Sequence, residues 1–211
     1  MSGSTPTDVL LGVAAALHDA RDELNRLDAV AGDGDLGLTA ARAADALAEL
    51  APSVSADDPQ AAARSIGMAL ARKAPSTGGT LVAFACLAAA RVAPIPGETG
   101  VELSARLLEA ARDEIATRGK VAPGDRTMLD ALDPAAVAFR TAAGQGAPAA
   151  EALEAAADAA ETGAGATADM EATTGRAGWL ADRARGHEDA GATLIAIVIR
   201  AAADAVRAAA D

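Results

Sequence analysis

The apolar residues of this chain are small or aliphatic, and aromatic side chains are nearly absent. Hydrophobic residues make up 51% of its 211 residues, whereas aromatic residues make up 1%. The core must therefore consist of Ala, Leu, Val and Ile. Ala is the strongest helix former, and its small side chain lets helices approach closely. Because the β-branched and aromatic residues that strands favour are scarce, the composition predicts an all-α fold.

Apolar residues at helical spacing, interrupted by capping residues and Gly- and Pro-containing turns, predict eight helices and no strand. The first helix is expected to follow Thr7 or Asp8 and to end near Ala29. The others are expected near 38–50, 59–73, 80–92, 101–118, 126–142 and 148–172, with the last in GATLIAIVIRAAADAVRAAA (191–210). The sequence contains no fixed-period repeat and no domain boundary, so we expect residues 1–211 to form one domain.

The chain is acidic, with a formal net charge of −12. It has neither a Lys/Arg stripe nor an aromatic platform, so we expect no nucleic-acid partner. A polyphosphate ligand would need a metal ion to mediate its contact with so acidic a protein.

Neither the N-terminus nor the apolar runs indicate export or membrane insertion. MSGSTPTDVL lacks a basic region followed by an apolar stretch. The apolar runs at 81–90 and 191–199 are shorter than the roughly 18–20 residues that a membrane span needs. The single Cys86 cannot form an internal disulfide, which suits a reducing compartment. We therefore expect a soluble, cytoplasmic protein.

Three aspartates, Asp28, Asp33 and Asp35, lie at a predicted helix-to-loop junction in LDAVAGDGDLG (27–37). The two glycines between them would let the loop turn tightly enough to bring the carboxylates together. Converging carboxylates repel one another unless a cation relieves the repulsion, and Mg²⁺ prefers such ligands together with substrate phosphates. A solvated turn is the alternative. An EF-hand fits poorly because position twelve, counted from Asp33, is Ala44 instead of Glu.

Two further loop-to-helix junctions could contact a nucleotide. In APSTGGTL (74–81), backbone N–H groups and the hydroxyls of Ser76 and Thr77 could cradle a phosphate, the alternative being an ordinary helix cap. In RGKVAPGDRTMLDAL (118–132), Met128 and Leu129 could offer an apolar wall to a purine, the alternative being plain core.

The segment GRAGWLADRARGHEDAG (175–191) concentrates charged residues before the last helix. Arg176 could clamp a phosphate in bidentate fashion. Asp189 and Gly191 could cap the last helix and leave its N-terminus open to an anion. His187 could act as a general base, although a lone His is more often structural.

Together and in this order, the segments resemble the L subunit of dihydroxyacetone kinase and the matching C-terminal domain of fused, ATP-dependent kinases. The strings that carry the resemblance are LDAVAGDGDLG, RGKVAPGDRTMLDAL, ATADMEATTGRAGWLADRARGHEDAG (166–191) and, more weakly, SIGMALARKAPSTGGTL (65–81). The resemblance spans nearly the whole chain. It implies an eight-helix antiparallel barrel that binds ADP or ATP at one end.

The resemblance also implies roles for individual residues. Asp28, Asp33 and Asp35 would hold Mg²⁺, as a pair of ions that bridge the phosphates. The residues that would contact the nucleotide are Gly37, Leu38, Thr39, Ser76, Thr77, Gly78, Gly119, Met128, Arg176, Asp189, Ala190 and Gly191. No side chain of this chain would act as a catalytic acid, base or nucleophile, because phosphoryl transfer relies on positioning and charge neutralisation.

In the family that the chain resembles, dihydroxyacetone is bound covalently by a histidine on a separate K subunit. A free-standing chain of this length resembles the bacterial form that serves glycerol metabolism. That form keeps ADP bound, and a phosphotransferase-system M subunit rephosphorylates it in place. A homodimer is a further expectation.

Four departures from the family pattern lie on the phosphate side. Leu36 replaces the histidine of GDxDHG, and Thr39 replaces the following asparagine. PSTGG replaces GGxSG, and Ala190 replaces the proline of Asp-Pro-Gly. These changes leave open the phosphoryl donor and the sugar, so that a kinase for another ketose such as a tetrulose is an alternative. A regulatory homologue that binds nucleotide is another. The nucleotide domain of a fatty-acid kinase is a third, which GDRTMLDAL and GHEDAG oppose.

Overall fold

The structure, a computed structural model, describes residues 5–171 and 181–209. Those residues form α-helices joined by loops and short 3₁₀ turns, without a strand. The helices are α1 Pro6–Asp19, α2 Arg21–Ala31, α3 Leu36–Leu50, α4 Pro59–Lys73, α5 Thr77–Ala89, α6 Gly100–Gly119, α7 Leu129–Gly144, α8 Ala149–Ala166, α9 Ala181–Ala184 and α10 Ala190–Ala208.

Eight of these helices form a closed ring. In the order α1, α3, α4, α5, α6, α7, α8, α10, each helix contacts the next, and α10 returns to contact α1. Most connections between neighbouring ring helices are short, and such connections make successive helices run in opposite directions. The predicted all-α, eight-helix antiparallel barrel in a single domain is therefore confirmed. Because directions alternate, every second connection lies at the same end of the ring.

The first predicted helix is wrong in one respect, because it is two helices. α1 ends at Asp19 and α2 begins at Arg21, with Ala20 at φ −81° and ψ −1° between them. The start of α2 is crossed at very short range by α3. A Cβ added at Gly37 would lie 1.8 Å from the Arg21 carbonyl oxygen, and Leu38 N–H donates to Asn25 Oδ1 at 3.2 Å. This crossing gives α2 a role of its own beside the ring.

Three other predicted boundaries shift for reasons of backbone chemistry. α5 begins at Thr77 instead of near residue 80, because the Ser76 hydroxyl caps it by accepting from Gly79 N–H at 2.9 Å. α7 begins after residue 126 because Arg126 has a left-handed φ of 62°, which no α-helix contains. α8 ends at Ala166, before the predicted residue 172, and a 3₁₀ turn follows it.

The core is built mainly from alanine and leucine. Buried Ala side chains occur in most of the ring helices, and Leu24, Ile115 and Leu129 are the largest fully buried apolar residues of the described chain. Desolvation raises the pKa of the partly buried Cys86 thiol to about 11, so the thiol stays protonated at neutral pH. Among the described residues, none of the helices combines the length and apolar character required to cross a lipid bilayer.

A short ion-pair network helps to hold α10 against α8. Arg200 Nη1 donates to Glu154 Oε1 at 2.7 Å, and Arg200 Nε donates to Glu161 Oε1 at 2.8 Å. These carboxylates raise the pKa of Arg200, with Glu161 the largest contributor. The network lies at the protein surface. An isolated ion pair there contributes little to stability, whereas a network in which one arginine pairs with several carboxylates contributes more.

A close backbone approach in the ring lies between α7 and α8. Pro134 inside α7 has no N–H, so it cannot donate to the carbonyl of Asp130 one turn earlier. Gly163 of α8 lies against that carbonyl, since an added Cβ would be 2.1 Å from Asp130 O. Glycine at residue 163 therefore allows the two helices to meet.

We expect Gly163→Ala to lower the free energy of unfolding by about 1–3 kcal/mol, because a methyl group would push α7 and α8 apart. The control is Gly165→Ala in the same helix, where the nearest atom to an added Cβ is Glu188 Oε1 at 3.9 Å. That variant should be as stable as the parent or gain up to about 1 kcal/mol from helix propensity. Urea unfolding followed by circular dichroism measures both. Equal effects of the two substitutions would contradict the close approach.

Candidate nucleotide and metal site

A cavity of about 630 Å³ lies at one end of the ring. That size is within the range of small-molecule sites. Its walls come from the connections α2–α3, α4–α5 and α6–α7 and from the residues that lead into α10. The lining residues are Leu27, Asp28, Ala31, Gly32, Asp33, Asp35, Leu36, Thr39, Pro75, Ser76, Thr77, Gly78, Leu81, Ile115, Gly119, Val121, Arg126, Thr127, Met128, Glu188, Asp189, Ala190 and Gly191.

One wall of the cavity carries the three aspartates. Asp28, Asp33 and Asp35 each present a carboxylate oxygen, and these oxygens lie within 4.8 Å of one another. Two backbone hydrogen bonds fix the orientation of the Asp28 carboxylate. Its Oδ2 accepts from Gly34 N–H at 2.8 Å and from Asp35 N–H at 3.0 Å. Asp28, at the end of α2, therefore holds the loop that carries the other two aspartates.

The two glycines of this loop have separate structural reasons. A Cβ added at Gly32 would lie 2.2 Å from Asp28 Oδ1, so any larger residue would displace that carboxylate. Gly34 has φ +77°, in the left-handed region that glycine enters without strain. The Gly-Asp-Gly-Asp string therefore matches the backbone that brings the aspartates together.

Four helices of the ring begin at the cavity: α3, α5, α7 and α10. The N-terminal N–H groups of a helix carry a partial positive charge and bind anions. Ser76 caps α5, and Asp189 caps α10 by accepting from Ala192 N–H at 2.8 Å. The cap residues of α3 and α7 make no side-chain capping bond within their own helix. The cavity thus combines a carboxylate wall with several anion-binding helix ends.

The remaining wall is apolar. Leu81, Ile115, Val121 and Met128 line it beside the backbone of Gly119. A Cβ added at Gly78 would lie 3.5 Å from Met128 Cε, which is ordinary contact distance. The apolar wall therefore continues from the start of α5 to the residue before α7, as a flat aromatic base would require.

The structure places most of the sequence-predicted residues on this cavity. Those on its lining are Asp28, Asp33, Asp35, Thr39, Ser76, Thr77, Gly78, Gly119, Met128, Asp189, Ala190 and Gly191. Gly37 is buried against α2 and Leu38 is 45% exposed, and both lie outside the lining. Arg176 falls outside the described residues. His187 is exposed, and its backbone carbonyl accepts a hydrogen bond from Arg126 Nη2 at 2.6 Å.

Sequence reasoning missed three buried polar residues beside the cavity: Arg126, Asp130 and Thr167, which are 3%, 5% and 0% exposed. Asp130 accepts from Thr127 N–H at 2.7 Å and also from Gly124 N–H, so it holds the loop before α7. The available signal was an Arg and an Asp four residues apart in an otherwise apolar stretch, since charged residues are rarely buried without specific partners.

Comparisons with known proteins agree with this geometry. The DAK2 domain family matches residues 30–204. The chain is 39% identical over 199 residues to D-erythrulose kinase of Mycolicibacterium smegmatis, covering 92% of this chain and 34% of that protein. It is 31% identical over 177 residues to the PEP-dependent dihydroxyacetone kinase, ADP-binding subunit DhaL, of Escherichia coli, covering 84% of each.

Among solved structures, the dihydroxyacetone kinase of C. freundii superposes with a TM-score of 0.74 at 30% identity, covering 94% of this chain and 34% of that one. The same kinase has been solved in complex with AMP-PNP and Mg²⁺, with a TM-score of 0.73. The chain thus spans about a third of the length of the erythrulose kinase and of this dihydroxyacetone kinase.

The fold and the family match place the chain among the helical domains of ketose kinases. The chain belongs to the DAK2 domain family and is a kinase subunit or domain of the dihydroxyacetone kinase type.

Desolvation disfavours ionisation of the Asp189 carboxyl group in the cavity. Desolvation raises its pKa to about 6, and the neighbouring Asp130 contributes in the same direction, while the Ala192 N–H and Arg126 oppose the shift. A carboxyl whose pKa is raised in the folded state favours folding at low pH, and its contribution is lost as pH rises through the folded value. The contribution of Asp189 to the free energy of unfolding therefore falls between about pH 4 and pH 6.

We expect the free energy of unfolding of Asp189→Asn to rise relative to that of the parent by about 1–3 kcal/mol between pH 4.5 and pH 8. Asn can still cap α10 but has no charge to bury. Urea unfolding at both pH values measures the change. The control is Asp58→Asn, which removes the charge of an exposed cap of α4 that accepts from Ala61 N–H at 2.8 Å. A pH-independent difference for Asp189→Asn would contradict the assignment.

Proposed function

We propose that this chain binds Mg²⁺ with ADP or ATP in the cavity and supports phosphoryl transfer to dihydroxyacetone or a related ketose. The observation that carries the proposal is the meeting of three surfaces in one cavity: the aspartate wall, the helix N-termini and the apolar wall. A metal–nucleotide complex has matching parts, because it consists of a cation, phosphates and a flat base.

The aspartate wall fits a magnesium site. Mg²⁺ takes oxygen ligands at 2.0–2.1 Å in octahedral geometry, so opposite ligands lie about 4 Å apart. The three carboxylate oxygens lie within 4.8 Å of one another, so small side-chain movements would bring them to the roughly 3–4 Å that separates ligands of one octahedral ion. Asp28, Asp33 and Asp35 would hold the metal, which when bound neutralises phosphate charge. One ion or two would satisfy these ligands.

The phosphates would lie between the aspartates and the helix ends. Thr39, Ser76, Thr77 and the turn of Asp189, Ala190 and Gly191 border that region. Gly37 would keep α3 close to α2, and Leu38 N–H is already bonded to Asn25. Gly119 and Met128 would border the base. Arg176 remains a proposed phosphate ligand.

Relatives support this proposal. The E. coli relative is an ADP-binding subunit, and the C. freundii kinase was solved with AMP-PNP and Mg²⁺. By this likeness the sugar would be presented by a K subunit or domain, with ADP rephosphorylated by an M subunit of the phosphotransferase system. The chain's own residues would bind the nucleotide, orient the phosphates and exclude water from them.

A second candidate is an ATP-dependent kinase for a four-carbon ketose. Two relatives favour it, the D-erythrulose kinase at 39% identity and an L-erythrulose kinase of Pectobacterium atrosepticum at 34% over 203 residues.

Native mass spectrometry of the purified chain separates the two phosphoryl donors. Retained ADP favours the phosphotransferase-coupled form, and an empty site that exchanges ATP favours the ATP-dependent form. Assays with a K partner on dihydroxyacetone and on erythrulose separate the sugars. No turnover of either would indicate a regulatory homologue.

We expect Asp33→Asn to weaken Mg-ADP binding about tenfold or more, because it removes one charge from the aspartate wall and one metal ligand. Isothermal titration calorimetry with Mg-ADP gives the dissociation constants. Asp45→Asn is the control, since Asp45 lies on α3 outside the cavity and contacts His18 at 3.1 Å. It should bind like the parent.

Binding of Mg-ADP by Asp33→Asn as tight as by the parent would refute the assigned metal site. If the parent itself binds neither Mg-ADP nor Mg-ATP, the proposed function as a whole is wrong.

A further inference from the structure

Two chain segments form one side of the cavity and are far apart in sequence. Residues 126–128 precede α7, and residues 188–191 lead into α10. Both segments are connections between helices, and a bond between them adds to the direct contact that α7 and α10 make with each other. A specific contact between them would therefore control the shape of the nucleotide pocket.

Arg126 makes that contact. Its Nε donates to Thr167 O at 3.1 Å, and its Nη2 donates to Ala184 O at 2.9 Å and to His187 O at 2.6 Å. The side chain thus joins the loop before α7 to the turn after α8 and to the residues before α10. Its backbone has φ 62°, a conformation that non-glycine residues keep only where surrounding contacts enforce it.

Two further hydrogen bonds tie the same region together. Asp189 N–H donates to the Thr167 hydroxyl at 2.8 Å, and Gly186 N–H donates to Ala168 O at 3.0 Å. Thr167 is fully buried, and its hydroxyl also donates to Ala164 O. Arg126 and Thr167 therefore act on one structural unit, the residues 184–189 that lead into the cap of α10.

The chemistry of these bonds requires arginine. A guanidinium is a planar fork whose several N–H donors can reach carbonyls on separate segments, whereas a lysine ammonium is a single point charge. Arg126 is 3% exposed. Its Nε and Nη2 donors point at backbone carbonyls, although the residue also borders the cavity. Its described bonds are therefore bonds to the protein itself.

We propose that Arg126 is a positioning residue for the nucleotide: its guanidinium fixes residues 184–189, and thereby places the N-terminus of α10 opposite Met128. This inference rests on the proposed function, because it concerns the same cavity. Arg126 acts here through the backbone of residues 184–189 and not by touching the phosphates. None of the described hydrogen bonds of Arg126 reaches the α2–α3 connection that carries the aspartate wall.

The test measures two ligands on the purified chain. Mn²⁺ alone, followed by electron paramagnetic resonance, reports on the aspartate wall. Mg-ADP, followed by calorimetry, reports on the whole cavity. The variants are Arg126→Lys, which keeps the charge and loses the fork, and Thr167→Val, which loses the hydroxyl. Thr167→Ser, which retains a hydroxyl, and Arg140→Lys on the outer surface of α7 are the controls.

We expect Arg126→Lys and Thr167→Val each to weaken Mg-ADP binding about tenfold, with Mn²⁺ affinity within about twofold of the parent. Thr167→Ser should keep most of the parent's affinity for Mg-ADP. The double variant of Arg126→Lys and Thr167→Val should lose less affinity than the product of the two single losses, because both residues act on one unit. Hydrogen exchange should be faster at Asp189 and the neighbouring amides in both variants.

Three results would overturn the inference. Arg126→Lys binding Mg-ADP like the parent would show that charge suffices without the fork. Equal losses for Mn²⁺ and Mg-ADP would indicate a general structural defect. Multiplicative effects in the double variant would show that the two residues act separately. If Arg126→Lys fails to fold, the Thr167→Val and Thr167→Ser pair decides the question alone. A parent chain that does not bind Mg-ADP refutes the proposed function, whereas parent binding with unaffected variants refutes the positioning role only.

Discussion

The alternation of helix direction around the closed ring is the constraint on which the site depends. Because neighbouring helices run in opposite directions, the connections α2–α3, α4–α5, α6–α7 and the approach to α10 share one end. The helices that follow them all begin there, so four sets of N-terminal N–H groups face one region. A cavity at that end is therefore favourable to anions before any charged side chain is considered, and residues distant in sequence become neighbours.

The parts of the fold that local chemistry specifies could be predicted from the sequence. The predicted helix at 59–73 matches α4 because Asp58 and Pro59 mark its start. The aspartate string predicted the acidic wall because its glycines allow the tight turn that joins the aspartates. The break at Ala20 and the role of Arg126 could not be predicted in this way. Arg126 bonds to residues 41, 58 and 61 positions away. Helical periodicity carries no information about such contacts.

The near absence of aromatic residues affects the site as well as the core. Small side chains allow helices to approach until backbones touch, as Gly37 does at the Arg21 carbonyl and Gly163 at that of Asp130. Both approaches lie next to the cavity, one under the aspartate loop and one under the start of α7. Rigid placement of helix ends therefore follows from the same composition that predicted an all-α fold, since close-packed interiors transmit small displacements.

The electrostatics of the cavity argue that metal and nucleotide bind together. The chain has a net charge of −12, and three carboxylates lie within 4.8 Å on one wall. Free phosphates would be attracted by the helix ends but repelled by this wall, and a cation alone would leave the helix ends without an anion. Only a metal–phosphate complex satisfies both sides. Because linkage between two ligands is reciprocal, whatever affinity the nucleotide gains from the metal, the metal gains equally from the nucleotide.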